Sequence, residues 1–183
     1  MVRVLVTGGV RSGKSRHAEG LLAGREDVTY VAPGPVLDDA DWAARVAAHR
    51  ARRPAAWRTL ETGDLAGALA GAGHGPGHGA GHGAVLVDCL GTWLTRLLDD
   101  AEAWEEPSEA LHALVGARLD EAAAALAGAA GDVVLVTNEV GLGVVPAHRS
   151  GRVFRDLLGL ANQRLAAECE AVHLVVAGRV LVL

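Results

Sequence analysis

The first feature of this chain that could do chemistry is its single lysine. Lys14 is the one lysine among 17 basic side chains, and it lies in the run Gly8-Gly9-Val10-Arg11-Ser12-Gly13-Lys14-Ser15. This run fits the pattern G-x-x-x-x-G-K-[ST], in which backbone amides surround the phosphates of a nucleotide. A compact ammonium reaches between β- and γ-phosphate oxygens, where the planar guanidinium of arginine is too wide. The pattern therefore predicts a nucleoside triphosphate site.

The segments on either side of this phosphate loop support that prediction. Residues 2–7 form an apolar, β-branched run that is typical of a buried parallel strand, and residues 14–23 predict a helix that begins at Lys14. The order of strand, glycine loop and helix aims backbone N–H groups and a helix N-terminus at the phosphates. In this pattern the hydroxyl of Ser15 is a predicted ligand of Mg²⁺.

A carboxylate at the end of another apolar run is the second candidate metal ligand. Asp88 follows Ala84-Val85-Leu86-Val87. An acid at the end of a buried strand is typical of the Walker B carboxylate, which lies beside the phosphate loop and holds Mg²⁺ directly or through water. Asp88 also precedes a predicted helix, so that capping this helix is an alternative interpretation compatible with the first.

One histidine lies among several arginines. His49 is surrounded in sequence by Arg45, Arg50, Arg52 and Arg53. Neighbouring positive charges lower the pKa of an imidazole and keep it neutral, and arginine forks bind phosphates. A neutral imidazole in a phosphate-binding pocket is a candidate acceptor of a phosphoryl or nucleotidyl group. The alternative interpretation is a solvated basic face with no chemical role.

Composition and periodicity predict one domain of the α/β class on a mainly parallel sheet. The length of 183 residues fits a single domain, and apolar strand-like runs alternate with helical runs. The predicted strands cover residues 2–7, 28–32, 57–61, 84–88, 133–137, 172–176 and 179–183, the last of them at an edge of the sheet. The predicted helices cover residues 14–23, 38–52, 64–72, 90–100, 109–126 and 151–170.

The net charge of −5 argues against a broad nucleic-acid surface. Two cysteines without paired spacing, no signal-peptide pattern and no apolar run near the ~20 residues of a membrane span predict a cytoplasmic protein. Residues 73–83 are glycine and histidine only, apart from one proline and one alanine, and predict a flexible surface loop. Their histidines, spaced by four, are also a possible metal site, but no cysteine or carboxylate accompanies them.

Several motifs together resemble one family of enzymes. They are T-G-G-x-R-S-G-K-S-R-H-A-E at residues 7–19, H-R-x-x-R-P-x-x-W at residues 49–57, and V-T-N-E-V-G-x-G-V-V-P at residues 136–146. The chain resembles the bifunctional adenosylcobinamide kinase/adenosylcobinamide-phosphate guanylyltransferases of cobalamin biosynthesis, and the resemblance extends over nearly the whole chain. It implies a P-loop NTPase fold of the RecA-like, three-layer type with an antiparallel edge strand.

The resemblance implies two successive transfers. The enzyme would phosphorylate a hydroxyl of adenosylcobinamide with ATP or GTP, and would then transfer GMP from GTP to that phosphate through a covalent intermediate on His49. Lys14 would stabilise the charge of transfer, and Ser15 and Asp88 would hold Mg²⁺. Further nucleotide contacts would come from Pro33, Gly34, Arg50, Arg52, Arg53 and Glu61. The resemblance also implies a homotrimer.

Two residues near the phosphate loop and two other functions remain open from the sequence. His17 is expected to be structural, and Glu139 either acts on Mg²⁺ or water or caps its own glycine-flanked turn. The chain could instead be a plain P-loop small-molecule kinase with no covalent nucleotide. It could also be a GTP-dependent metallochaperone or switch that carries a metal on its histidine-rich loop.

Overall fold

The computed structural model of the protein describes residues 2–35, 47, 50–51, 53–72 and 83–183. The predicted helix at 38–52 and the glycine- and histidine-rich loop at 73–83 lie mostly outside these residues. None of the described helices is both long enough and apolar enough to cross a membrane.

Apolar, β-branched runs form the strands, which pair in a seven-stranded sheet of the order β3-β2-β4-β5-β1-β6-β7. The strands are β1 (Arg3–Gly8), β2 (Val28–Ala32), β3 (Arg58–Glu61), β4 (Ala84–Asp88), β5 (Val133–Val136), β6 (Ala171–Val176) and β7 (Arg179–Val182). All neighbours pair in parallel except β6 and β7, which pair antiparallel. The predicted mainly parallel sheet with an antiparallel edge strand is therefore confirmed.

Helices cover both faces of this sheet. Those described are α1 (Lys14–Leu21), α2 (Leu65–Ala70), α3 (Leu90–Asp100), α4 (Ser108–Ala127) and α5 (Arg149–Ala166). Side chains alternate along β1, so that Val4 and Val6 pack with α1 on one face while Leu5 packs with α3, α4 and α5 on the other. Two apolar cores on opposite faces of one sheet give the predicted three layers.

Two local predictions differ clearly from the structure, whereas the other predicted ends that it describes agree to within two residues. The last long helix, predicted to run to residue 170, ends at Ala166 because the N–H of Glu170 already donates to the carbonyl of Arg3, 2.8 Å away, as the chain turns into β6. Capping of α3 by Asp88 is wrong, because the N-cap residue is Cys89, whose N–H and C=O both bond the hydroxyl of Thr92.

The sheet order decides which loops meet. Parallel strands end at the same edge, so the loops after β1, β5 and β4 are neighbours there. The strand order places β5 between β1 and β4. The phosphate loop after β1 and the Asp88 carboxylate at the end of β4 therefore lie on one edge, with the end of β5 between them.

Candidate active site

The phosphate loop is a tight turn that depends on two of its glycines. A Cβ on Gly8 would lie 2.4 Å from the carbonyl oxygen of Val175 and 2.7 Å from Oγ of Ser12, which leaves no room for a side chain. Gly13, the N-cap of α1, has φ of 98°, a left-handed conformation that favours glycine. These two glycines thus let the chain turn tightly from strand to helix within the loop.

The β6–β7 hairpin supports the phosphate loop from behind. Its turn consists of Ala177 and Gly178, both with positive φ, and the N–H of Gly178 donates to the carbonyl of Ser12, 2.8 Å away. Two left-handed residues are the mark of the tight hairpin turn that matches strand twist. The antiparallel edge of the sheet therefore helps to fix the loop that binds phosphate.

Two polar groups inside the loop are consistent with an anionic ligand. Lys14 is only 9% exposed, and its Nζ donates to the carbonyl of Gly9 at 3.2 Å, so the ammonium lies over the loop. The Oγ of Ser12 is buried and has no hydrogen-bond partner among the residues that the structure describes. A buried hydroxyl without a partner costs free energy unless a ligand or water satisfies it. The loop therefore has the cation, the unsatisfied donor and the open backbone that a triphosphate requires.

Ser15 and Asp88 present oxygen atoms of the kind that Mg²⁺ prefers. Ser15 is half-buried at the start of α1, and Asp88 is half-buried at the end of β4. Strands lie about 4.8 Å apart, so the axes of β1 and β4 are separated by about 10 Å at this edge. The two side chains fit a site in which most ligands of Mg²⁺ are phosphate oxygens and waters. Within the described residues no group of three or more His, Cys, Asp or Glu side chains could hold a metal ion by itself.

A buried tyrosine positions the Asp88 carboxylate. The hydroxyl of Tyr30, on β2, donates to Oδ2 of Asp88 at 3.1 Å. Burial, and next the charge of Asp88, raise the pKa of Tyr30, which therefore remains a hydrogen-bond donor at neutral pH. The guanidinium of Arg53 stacks on the same ring at 3.6 Å from its centre and also donates to Oγ1 of Thr59 at 3.3 Å.

Cys89 connects the end of β4 to the end of β5, because its thiol lies 3.7 Å from Oδ1 of Asn138. Burial, and then the charge of Asp88, raise the pKa of its thiol, while the nearby ammonium of Lys14 lowers it. Burial is the largest of these effects, so the thiol is neutral and unreactive at neutral pH.

A polar network fixes the end of β5 between these two groups. Thr137 is fully buried and donates its hydroxyl to Oδ1 of Asn162 at 2.6 Å, and Nδ2 of Asn162 donates to the carbonyl of Asn138 at 3.1 Å. The next residue, Glu139, donates its N–H to the carbonyl of Gly8 at 3.2 Å. Its Oε1 accepts the N–H of Gly141 at 2.6 Å, so the structure shows the turn-capping contact for Glu139.

The site residues predicted from the sequence did not include Tyr30, Thr137 or Asn162. One sequence signal could have found Asn162, because it falls on the same helical stripe as the buried Leu158 and Leu165. A polar residue on an apolar stripe needs a buried partner. Tyr30 gave no such signal, because an aromatic residue is ordinary in a strand.

The remaining predicted nucleotide residues lie farther along the edge. Arg50 donates to Glu61, at the end of β3, at 2.9 Å, and both side chains are more than half exposed. Pro33 and Gly34 follow β2, and Gly34 is packed so closely on α3 that a Cβ would lie 2.9 Å from Cβ of Thr92. By strand spacing the axes of β2 and β3 are about 14 and 19 Å from that of β1. His49 and Arg52 lie outside the described residues.

His17 makes the structural contact expected of it. Its Nε2 lies 2.8 Å from Nδ1 of His173 on β6, and burial and the neighbouring ring lower the pKa of His17. The pair joins α1, just behind the phosphate loop, to the sheet.

In this mainly parallel sheet a glycine loop joins the first strand to the first helix, and a buried lysine and a carboxylate lie on the same edge. These features define a P-loop nucleotide-binding protein. The known structures agree: an ATPase from the type III secretion system of pathogenic bacteria superposes with a TM-score of 0.57 at 10% identity, over 94% of this chain and 50% of that one. The model of the cobinamide kinase / cobinamide phosphate guanyltransferase family matches residues 4–183, so the chain belongs to that family.

Two named relatives are similar over their whole length. The bifunctional adenosylcobalamin biosynthesis protein CobU of Escherichia coli is 43% identical over 179 residues, covering 96% of each chain. The bifunctional adenosylcobalamin biosynthesis protein CobP of Pseudomonas aeruginosa is 41% identical over 180 residues, covering 97% of this chain and 94% of its own. The family resemblance stated from the motifs is therefore confirmed.

Proposed function

We propose that this protein phosphorylates adenosylcobinamide with ATP or GTP and then transfers GMP from GTP to adenosylcobinamide phosphate, giving adenosylcobinamide-GDP. The observation that carries the proposal is the full-length family match combined with an intact phosphate loop. In the first transfer the substrate hydroxyl attacks the γ-phosphorus. An O–P bond forms while the hydroxyl gives up its proton to solvent, the bond between the γ-phosphorus and the β-phosphate oxygen breaks, and the nucleoside diphosphate leaves. Lys14 and the loop amides stabilise the charge that moves to the β-phosphate.

The second transfer is proposed to use His49 as a covalent carrier. A neutral ring nitrogen attacks the α-phosphorus of GTP, an N–P bond forms and pyrophosphate leaves. The phosphate of the corrinoid then attacks the same phosphorus, an O–P bond forms, and the N–P bond breaks to regenerate the imidazole. Arg50, Arg52, Arg53 and Glu61 are proposed to contact the guanine nucleotide, as are Pro33 and Gly34.

Mg²⁺ is the proposed metal, with Ser15 and Asp88 as the protein residues that would hold it. When bound it would neutralise charge on the phosphates. Tyr30 orients the Asp88 carboxylate by its hydroxyl, and the Thr137–Asn162 network keeps the end of β5 in place between the two candidate ligands.

The decisive experiment labels the protein. The protein is incubated with GTP that is radiolabelled at its α-phosphate, together with Mg²⁺, and is then denatured. We expect label that is lost in acid and kept in base, as a phosphoramidate behaves, and an intact mass increased by one GMP. His49→Ala should lose the label, while the matched variant His148→Ala, at an exposed histidine, should keep it. A wild-type protein that never takes label contradicts the guanylyltransferase proposal and leaves the plain kinase or the switch.

The homotrimer and the cytoplasmic location remain predictions, and the homotrimer bears on the reaction. Arg53 contacts Tyr30 of β2 and Arg50 contacts Glu61 of β3, and the axes of these strands are about 14 and 19 Å from that of β1. We therefore propose that His49 of one subunit serves the phosphate loop of another. Mixing His49→Ala subunits with Lys14→Met subunits tests this. Recovery of label on the Lys14→Met chains indicates transfer between subunits, whereas no recovery at any mixing ratio indicates transfer within one subunit.

A further inference from the structure

The loop after β5 carries unusually exposed apolar side chains. Val144 is 94% exposed, Leu142 88% and Val10 77%, the three highest values among the large apolar side chains that the structure describes, and Val145 is 66% exposed. Together these four residues form what we call the apolar rim. Single exposed apolar residues are ordinary, but a group of them beside a binding site indicates a contact surface.

The apolar rim borders the phosphate loop. The N–H of Glu139 donates to the carbonyl of Gly8, which ties the two loops together. Leu142 is three residues beyond Glu139 and Val10 is two residues beyond Gly8. A chain advances at most about 3.6 Å per residue, so the Cα atoms of both residues lie within about 11 Å of this hydrogen bond.

Arginines of α5 hold the loop in one shape. Arg155 donates to the carbonyls of Gly141 at 2.8 Å and Gly143 at 2.9 Å, and Arg152 donates to those of Pro146 at 3.1 Å and Ala147 at 2.7 Å. These bonds fix the backbone while the apolar side chains between them point to solvent. A surface that is ordered before binding loses less entropy when a ligand arrives.

The size and the charge of this surface decide between possible occupants. Four such side chains expose several hundred Å² of apolar area, less than the roughly 800 Å² per partner of a stable protein interface. The exposed Arg11 follows Val10 directly, and Lys14 lies in the same loop. An apolar surface next to fixed positive charge fits a small amphipathic ligand that carries a phosphate on an arm.

We propose that the apolar rim binds the corrin ring of adenosylcobinamide and so directs its hydroxyl-bearing arm to the phosphate loop. This inference rests on the proposed function, and it names where the larger substrate binds. The ring would cover Leu142 and Val144, and the arm, once phosphorylated, would lie toward Arg11 and Lys14.

The test measures the kinase step with adenosylcobinamide varied at saturating ATP. In the double variant Leu142→Ser, Val144→Thr we expect the KM for the corrinoid to rise about 10- to 100-fold, because two apolar contacts are lost. The KM for ATP and kcat at saturating corrinoid should stay within about twofold of wild type. Val2→Ser changes an exposed valine at the opposite end of β1 and should leave both constants unchanged. Equilibrium dialysis, following the visible absorbance of the corrinoid, should show the same loss of binding without turnover.

The outcomes separate this inference from the function on which it rests. If wild type phosphorylates adenosylcobinamide and the double variant does so with the same KM, the docking surface is wrong and the function stands. If wild type shows no turnover and no corrinoid binding, both proposals fall. A change of assembly mass by light scattering with an unchanged KM would mean that a second copy of the chain covers the rim. If the double variant unfolds, the single variants Leu142→Ala and Val144→Ala replace it in the same KM measurement.

Discussion

Replacing Gly8 by alanine tests whether the glycine loop is shaped by the protein or by its ligand. The added Cβ would meet the backbone oxygen of Val175 at 2.4 Å and Oγ of Ser12 at 2.7 Å. Val175 is the β6 residue paired with Gly8 in the parallel ladder, so its oxygen cannot withdraw without opening the sheet. Ordinary contact at about 3.4 Å therefore requires a displacement of about 1 Å between β1 and β6, or of the phosphate loop itself.

Such overpacking costs about 1–3 kcal/mol of the free energy of unfolding, which for a chain of this length lowers Tm by roughly 2–12 °C. A displacement of about 1 Å in the loop that positions the phosphates should lower kcat/KM of the kinase step about 100-fold. Thermal unfolding followed by circular dichroism measures the first effect, and transfer from γ-labelled ATP measures the second.

Two glycines provide matched controls. A Cβ on Gly9, in the same loop, or on Gly20, in α1, would meet no atom within 4 Å. Gly20→Ala should raise stability by about 0.5–1 kcal/mol, since alanine favours a helix. Gly9→Ala should keep the wild-type Tm, and any loss of activity in it reports contact with the nucleotide. If Gly8→Ala unfolds at the wild-type temperature and binds ATP normally, the steric reasoning is refuted.

Three further predictions concern the polar side chains Lys14, Thr137 and His17. Lys14→Arg should keep the fold but lower kcat of the kinase step about 100-fold, because a guanidinium is too wide for the loop; wild-type activity in it would contradict the role given to the ammonium. Thr137→Val removes the donor to Asn162 and should lower the free energy of unfolding, measured in urea, by about 1–3 kcal/mol. In a double-mutant cycle with Asn162→Leu the two losses should not add, and simple additivity would mean that the two side chains are not coupled. Because the pKa of His17 is lowered in the folded protein, the unfolded chain binds the proton more readily. The free energy of unfolding should therefore fall as the pH drops through the ordinary pKa of 6.5, and it should level off below the pKa of the folded state. His17→Gln should flatten this dependence between about pH 8 and pH 5, and an unchanged profile would assign it to other groups.

Local sequence patterns predicted the elements well where a single rule decides the structure. The strand at residues 84–88 and the helix at residues 90–100 have the predicted bounds. The strand follows from an unbroken apolar run whose length suits a strand and not a helix, and the helix follows from the change to helical periodicity directly after it. The phosphate loop was equally predictable, because its function demands glycine where the backbone is crowded or left-handed, and those positions are Gly8 and Gly13.

The neighbours of the site were not predictable in the same way. Local sequence patterns give no order for parallel strands, so the insertion of β5 between β1 and β4 emerged only from the fold. The Tyr30 hydroxyl reaches Asp88 because β2 pairs with β4, across 58 residues of chain. Such contacts depend on register between distant segments, and no local pattern encodes register.

The strand order also has a consequence for how two transfers share one edge. The groups proposed to serve the β- and γ-phosphates lie at the end of β1, whereas Arg53 is held on Tyr30 of β2 and Arg50 on Glu61 of β3. An imidazole must come within about 3–3.5 Å of the α-phosphorus that it attacks. Under the proposed mechanism, kinase chemistry needs only residues around the phosphate loop. Guanylylation would need the segment of Arg50 and Arg53 to approach a nucleotide from the far side of the edge or from another subunit. This separation is the physical reason to expect that His49→Ala abolishes the second transfer and leaves the first intact.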